Sequence, residues 1–452
     1  MKSPDQFERL LRGPIVPTLA RLSAPNIVVA AAMTLTTFAD AWFVGRLGIT
    51  ALASLALVFP IQTLMQMMSA GAMGGGVSSA VARALGSGRP ERATAIALHA
   101  MIIALAMAAL YIVVAAVFAP WFFGLLGGSG TVLDGAVAYA QIAFGGAGAI
   151  WLTNTFASVL RGTGNMAVPA RILIAASLLH VALSGALTLG WGPFPALGVR
   201  GPATALVASF GVAALVMGGA VVAGRGGVRL RLAGIALQAE LFRDILKVGG
   251  VACGNALLTI ATIVIVTRLI AEQGTAALAG YGLGSRLELM LIPISFGIGG
   301  ALTATVGANF GARQFARARR VAWTGGLFVA AASGLIGGVA AVWPDLWLAN
   351  FTTDAEARAI GARYLAIVGP FYLFFGLGQT LYFASQGTGN MIWPFSAGVV
   401  RLAVAAGGGA IAATYFAADT TPLFACLSAG LVCFGGLIAG SLFSRVWNPR
   451  GS

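Results

Sequence analysis

Asp40 is the side chain of this sequence whose type and position point most directly to chemistry. It lies in an apolar stretch from Pro25 to Gly48 that carries only one other charge, Arg46. A carboxylate within an apolar membrane helix is costly, so it usually faces a cavity, a partner or an ion pathway. Such a group can load a proton from one side of a membrane and release it to the other. We therefore interpret Asp40 as the centre of an ion-coupled transport site.

Other polar side chains on apolar segments are candidates for lining a substrate cavity. They are Asn26, Thr36, Thr37, Gln62, Gln66, Gln141, Asn154 and Glu288. The amides are equally suited to hydrogen bonds between helices, and the two threonines to a structural contact with Asp40, so both roles stay open. Glu288 lies near Arg286, but residues two apart do not face each other on a helix, so this pair is not self-neutralising.

The elements that must position these residues are membrane helices. The chain is 59% hydrophobic and only 9% charged. Its apolar runs repeatedly exceed the roughly 20 residues that a helix needs to cross a bilayer. They also lack the alternation of barrel strands. The sequence therefore predicts an all-α membrane protein with twelve helices, near residues 15–45, 51–81, 94–119, 134–159, 168–190, 198–223, 245–271, 277–308, 321–343, 357–384, 393–416 and 421–444.

The net charge of +14 indicates membrane topology rather than a nucleic-acid partner. Arginines concentrate before the first helix and after the even-numbered ones, whereas the opposite loops hold acids such as Asp134 and Glu272. By the positive-inside rule, both termini are expected in the cytoplasm of a multi-pass inner-membrane protein. The polar N-terminus has no apolar signal-peptide core, so the first helix is expected to be permanent.

Metal and catalytic chemistry have little support in the sequence. The three cysteines, Cys253, Cys426 and Cys433, lie in apolar segments without metal-site spacing. No metalloprotease motif, phosphate-binding loop or Ser/His/Asp set is placed for catalysis. We therefore expect no enzyme, no organic cofactor and no metal site.

The two halves of the chain repeat. RGTGNM at 161–166 recurs as QGTGNM at 386–391, an offset of 225 residues that also places Gly86 on Gly311 and Arg92 on Arg317. Six helices per copy make the copies parallel, with a pseudo-twofold axis along the membrane normal and a central cleft. We expect an N-terminal bundle at 1–224, an amphipathic cytoplasmic linker at 225–244 and a C-terminal bundle at 245–452.

With these motifs the chain resembles the multidrug and toxic compound extrusion (MATE) transporters. The resemblance rests on Asp40 followed by FVGRLG at 43–48, on the paired GTGN turns, and on ALAGY at 277–281 with Arg286 and Glu288. The first-helix acid is most similar to the branch named for DNA-damage-inducible protein F. The resemblance implies a V-shaped, twelve-helix antiporter that exports amphipathic, often cationic molecules in exchange for protons or sodium.

Departures from the family pattern bear on the coupling ion. Sodium-coupled relatives carry acids on the seventh and tenth helices, which here read TIATIVIVTRLIA at 259–271 and FYLFFGLGQT at 371–380. On the fifth helix the family's proton network has Asn and, four residues on, Asp, where this chain has His180 and Ser184. That spacing keeps both on one helix face. We expect His180 to replace the missing partner of Asp40 at hydrogen-bond distance, and the resemblance implies a hinge at Pro25.

These residues together favour a proton-coupled MATE exporter with Asp40 as the proton carrier. A sodium-coupled exporter and a flippase of lipid-linked substrates within the same superfamily remain alternatives, and a channel is the alternative outside the carriers. The coupling ion is H⁺ or Na⁺. The expected partners are small amphipathic organic substrates and the lipid bilayer, with no nucleic acid, and we expect a monomer.

Overall fold

The apolar stretches fold into long α-helices, because lipid offers no hydrogen-bond partner to backbone groups left outside a helix. The computed structural model describes residues 3–224, 227–230, 236–415 and 419–448, with the backbone alone for 3–6. Within these residues, eleven helices are long and apolar enough to span a membrane, and one bent pair makes a twelfth span. The predicted all-α membrane fold is confirmed.

The spans are numbered in chain order. They are α1 (Ile15–Gly45), α2 (Ile49–Gly86), α3 (Pro90–Leu125), α4 (Gly130–Gly145 and Ala147–Gly162, bent by 46°), α5 (Ala167–Leu189), α6 (Arg200–Val222), α7 (Ala239–Ala271), α8 (Thr275–Gly311), α9 (Phe315–Val342), α10 (Ala355–Thr388), α11 (Ile392–Tyr415) and α12 (Thr421–Ser441). A short helix, Ser3–Arg12, precedes α1, and a single turn, Asp345–Leu348, follows α9. Two π-helical segments interrupt the regular winding, Met67–Met73 in α2 and Ala403–Gly407 in α11.

The linker expected at 225–244 is shorter than predicted, because α7 begins at Ala239 rather than at 245. Residues 225, 226 and 231–235 of that linker lie outside the described residues. Between them, Val228 and Leu230 are buried, and the Leu230 N–H bonds to the Val221 carbonyl at 3.2 Å. The described part of the linker is therefore packed against the end of α6.

The repeat in the sequence is also a repeat in the structure. α4 and α10 begin at Gly130 and Ala355, and α2 and α8 end at Gly86 and Gly311, so equivalent ends are again 225 residues apart. Contacts repeat as well. A methyl group on Gly86 would collide with the Ala308 carbonyl oxygen, and one on Gly311 with the equivalent Arg83 carbonyl. The two glycines allow α2 and α8 to cross backbone to backbone at a pseudo-twofold position.

The two six-helix lobes, α1–α6 and α7–α12, meet mainly through α1 and α2 of the first and α7 and α8 of the second. We call the side on which α1 begins and α12 ends the termini side. The Arg83 guanidinium bonds to the Asp244 carboxylate across the lobes there at 2.7 Å, and Arg92 bonds to Glu240 at 2.9 Å.

Hydrogen bonds between the lobes do not extend far from that side. The deepest among the described residues join Gln386 to the Gly71 carbonyl at 3.0 Å and Asn26 to the Gly297 carbonyl at 3.4 Å. At about 1.5 Å per residue, these contacts lie within about 22 Å of the termini-side ends of their helices. Among the described residues, the hydrogen bonds between the lobes are therefore concentrated toward the termini side.

Candidate functional site

Asp40 lies near the distal end of α1, in contact with α5. His180 Nε2 is 3.0 Å from both carboxylate oxygens of Asp40, and the Ser184 hydroxyl donates to Oδ1 at 2.5 Å. Asp40 is 9% exposed, His180 4% and Ser184 0%. The carboxylate is thus buried within the first lobe and held by two groups that the sequence placed on one face of α5.

This geometry follows from helix spacing and packing. His180 and Ser184 are four residues apart on a continuous helix, so both side chains face α1. One turn beyond Asp40, the Phe43 ring packs edge-on against Trp191 at 5.5 Å. His180 Nδ1 has no partner among the described residues. Nε2 therefore carries the contact with Asp40, and a proton on Nε2 makes that contact a charge-assisted hydrogen bond.

The amides of the first lobe form a second polar layer, nearer to the termini side. The Tyr139 hydroxyl donates to Gln62 Oε1 at 3.1 Å, and the Asn154 amide donates to Gln66 at 3.3 Å and to Ser69 at 2.8 Å. These bonds join α2 to α4, with Ser69 inside the π-helical segment, which is a common location for functional residues. The structure thus gives these amides contacts between helices.

Four further residues of the predicted cavity lie apart from this layer. Thr36 and Thr37 both donate to the Met33 carbonyl of their own helix, so neither contacts Asp40 by a recorded hydrogen bond. Gln141 is exposed on α4. Asn26 is buried at the junction of the lobes, beside Pro25, through which α1 continues as one helix.

Glu288 belongs to a separate cluster in the second lobe. Its carboxylate pairs with Arg401 of α11 at 3.4 Å and accepts a hydrogen bond from the Tyr364 hydroxyl at 3.1 Å. The Arg401 guanidinium also lies 5.6 Å from the Phe375 ring and 5.5 Å from the Phe434 ring. Glu288 and Asp40 therefore do not share a site, and the partner of Glu288 is Arg401 rather than the neighbouring Arg286.

The MatE family profile matches residues 25–184 and 251–409 of this chain. The two matched segments together cover more than half of the chain, one copy of the internal repeat each. The chain belongs to the MatE family. Its membership confirms the resemblance drawn from Asp40 and the paired GTGN turns, while the assignment to the branch of DNA-damage-inducible protein F stays a prediction.

Relatives of this MatE protein include transporters with different named substrates. The FAD transporter of Shewanella oneidensis is 28% identical over 316 residues, 69% of each chain. The probable multidrug resistance protein YoeA of Bacillus subtilis is 27% identical over 364 residues, 78% of this chain and 76% of that protein. Transport rather than enzymatic chemistry is the activity that these relatives are named for.

Solved structures share the fold of the MatE protein. A MOP superfamily transporter from Pyrococcus furiosus superposes with a TM-score of 0.90 at 22% identity, covering 98% of both chains. An outward-facing multidrug resistance transporter of the MATE family superposes with a TM-score of 0.84 at 23% identity, covering 95% of both chains. At these identities the likeness establishes the twelve-helix, two-lobed fold alone.

Two residues of the structure were not singled out as site residues by sequence reasoning. The sequence pattern groups Arg161 with the arginines that follow even-numbered helices, but it lies in the last turn of α4 and is 6% exposed. His99 is fully buried, and its Nε2 accepts a hydrogen bond from the Gln238 N–H at 2.9 Å, which anchors the start of α7. The sequence feature that could have identified Arg161 as a candidate is its position in the repeat, because the second copy has the neutral Gln386 there.

Proposed function

We propose that this MatE protein is a proton-coupled antiporter that exports amphipathic, often cationic organic molecules across the inner membrane. The observation that carries the proposal is the buried Asp40 carboxylate between His180 and Ser184. An intramembrane acid in a lobe that opens to one side is suited to exchange protons with that side. Family membership and the multidrug name of the relative YoeA support the same activity.

Protonation of Asp40 is the step that changes the forces between α1 and α5. The ionised carboxylate accepts hydrogen bonds from both His180 and Ser184. A neutral carboxyl loses its charge and donates one hydrogen bond itself, so these charge-assisted contacts weaken. The distal half of α1 is then less tightly held to the rest of the first lobe.

Pro25 separates this distal half of α1 from the part that is anchored between the lobes. The neighbouring Asn26 contacts the Gly297 carbonyl of the second lobe. Pro25 has no N–H to donate to the preceding turn, so bending there breaks one hydrogen bond fewer than elsewhere in the helix. About 22 Å separate Pro25 from Asp40 along the helix. A change at Asp40 can therefore move the distal half without disrupting the junction of the lobes.

Proton coupling is favoured over sodium coupling by the groups around Asp40. Sodium sites in transporters use unwound backbone carbonyls and helix ends. Here α1 and α5 are continuous helices at Asp40, His180 and Ser184, so their carbonyls are occupied in the helix. The carboxylate of Glu288, on α8 of the second lobe, is already paired with Arg401.

The same proposal includes the topology of the chain. The lobes correspond to residues 1–224 and 239–452, joined by the shorter linker at 225–238, and the termini side faces the cytoplasm. The arginines on that side support this orientation through the positive-inside rule. We propose a monomer, because each copy of the repeat supplies one half of the cleft.

A second candidate substrate class is an anionic dinucleotide. The named FAD transporter of Shewanella oneidensis is 28% identical to this chain, and its substrate is neither cationic nor a xenobiotic. Substrate range and coupling ion are therefore tested separately.

Purified protein in liposomes distinguishes these functions. Proton and sodium gradients are imposed separately, and accumulation of labelled substrate is measured under each. The substrates are a panel of cationic dyes and FAD. We expect a proton gradient to drive saturable accumulation of at least one cationic dye, with no requirement for sodium. Accumulation that depends on sodium alone would contradict the coupling ion, and transport restricted to FAD would contradict the substrate class.

A further inference from the structure

Arg161 is a buried cation without an acidic partner. It is 6% exposed, its Nε has no hydrogen-bond partner, and none of the ion pairs among the described residues includes it. The guanidinium carbon lies 6.0 Å from the centre of the Phe296 ring, the outer limit of a cation–π contact. An uncompensated buried charge is strongly destabilising, so a guanidinium in this position calls for an anion.

Arg161 lines a cavity at the junction of the two lobes. The first lobe contributes Arg161, Ser78 and Asn26, and the second contributes Thr303 and Gln386. The cavity leaves about 20 Å³ for the centre of a water-sized sphere. At least about 10–15 Å³ by this measure is needed for one water molecule, so the space suits one small species and no organic substrate.

The free groups of this cavity are mainly hydrogen-bond donors. The Ser78 hydroxyl is buried and unpartnered, as is Arg161 Nε. Asn26 Oδ1 is also unpartnered, but its amide nitrogen makes only long contacts, 3.4 Å to Gly297 O and 3.6 Å to Met166 Sδ. No carboxylate is among the residues that line the cavity.

We propose that the Arg161 cavity binds a small inorganic anion of about the size of chloride. The guanidinium supplies the charge, and the Ser78 hydroxyl supplies a second donor. Both lobes enclose the ion, so it binds tightly only while they are joined on the termini side. The anion then stabilises this conformation and must leave, or lose its enclosure, before the termini side opens.

The internal repeat offers a matched comparison for this site. Gln386 is the counterpart of Arg161, and its amide nitrogen already bonds to the Gly71 carbonyl at 3.0 Å. A glutamine is therefore compatible with the end of α10, the helix that is equivalent to α4. Arg161→Gln replaces the charge with the residue that the chain itself uses at the related position.

Thermal unfolding of the full chain in detergent tests the proposal. Midpoints are compared in chloride, bromide, phosphate and gluconate at equal ionic strength, for the parent, Arg161→Gln, Ser78→Ala and the exposed-site control Arg320→Gln. We expect chloride and bromide to stabilise the parent and the control. Arg161→Gln should weaken halide affinity by about tenfold or more, because a charge-assisted hydrogen bond is lost. Ser78→Ala should weaken it less.

Crystals of the parent grown with bromide provide the direct readout. An anomalous scattering peak in contact with the Arg161 guanidinium, absent from Arg161→Gln, would support the site. Equal halide stabilisation of the parent, Arg161→Gln and Ser78→Ala would overturn it, as would a stabilising effect of phosphate that exceeds that of chloride. If Arg161→Gln does not fold, the bromide peak of the parent and the halide response of Ser78→Ala still decide the question.

Discussion

The partly buried pair of Glu288 and Arg401 is expected to contribute more to stability than exposed ion pairs do. The two side chains are 17% and 14% exposed, with 3.4 Å between the charged atoms. Replacing Arg401 with Met leaves the carboxylate with the Tyr364 hydroxyl as its remaining recorded partner. Breaking a fully buried pair from one side typically costs about 3–5 kcal/mol, and an exposed pair contributes about 1 kcal/mol or less, so for this partly buried pair we expect a loss between these values.

The double substitution isolates the charge effect. In Glu288→Met with Arg401→Met, no buried charge is left unpaired, so the protein should regain much of the stability that Arg401→Met alone loses. Arg363→Met is the matched control, because Arg363 pairs with Asp419 at 3.2 Å with side chains 49% and 52% exposed. That change should stay within about 1 kcal/mol of the parent.

Reversible unfolding in mixed micelles, followed by tryptophan fluorescence, measures five proteins: the parent, Arg401→Met, Glu288→Met, the double variant and Arg363→Met. The reasoning fails if Arg401→Met is no more destabilised than Arg363→Met. It fails equally if the double variant is as unstable as the sum of its two single variants, because the two residues would then not be coupled.

Three further predictions concern the junction of the lobes, the proton site and the topology. Asp244→Asn weakens the ion pairs of Asp244 with Arg83 and Arg92, at 2.7 and 3.6 Å. Spin labels on the termini-side ends of α2 and α8 should therefore move apart. Glu272→Gln, which changes an exposed pair with Arg268, should leave the distance between the labels unchanged. His180→Asn should shift the pH dependence of export without abolishing export, because the amide still bonds to Asp40 but cannot become cationic. A pH profile of the variant that overlays that of the parent would exclude a role of His180 in coupling. A cysteine introduced at the exposed Ser87, in the turn between α2 and α3, should react with a membrane-impermeant reagent only from the cytoplasmic side. Labelling from the opposite side would reverse the proposed topology.

Much of the architecture could be predicted from local sequence patterns. Hydrophobic run length located the twelve spans, and the repeated motifs predicted two equivalent lobes. The contact between Asp40 and His180 could be anticipated because helix spacing and the family pattern both placed these residues in the first lobe. Each of these inferences depends on spacing along a helix or on a fixed offset between the copies, which the sequence contains directly.

The partners of isolated charges were harder to predict. Glu288 and Arg401 are 113 residues apart, and only the packing of α8, α10 and α11 brings them together. Arg161 follows the pattern of a topological arginine at the end of a helix, so its burial depends on how closely the lobes approach. That approach depends in turn on backbone contacts at Gly86 and Gly311, which no hydrophobic pattern reveals.

Proton-driven export by Asp40→Asn tests the central claim most directly. The amide has nearly the shape of the carboxyl group, and it can still accept from Ser184, so the fold should be retained. Liposomes that contain the parent or the variant receive the same imposed proton gradient and the same cationic dye. The account predicts gradient-driven accumulation with the parent and none with Asp40→Asn, at equal protein incorporation and similar thermal stability. Undiminished proton-driven accumulation by Asp40→Asn would contradict it.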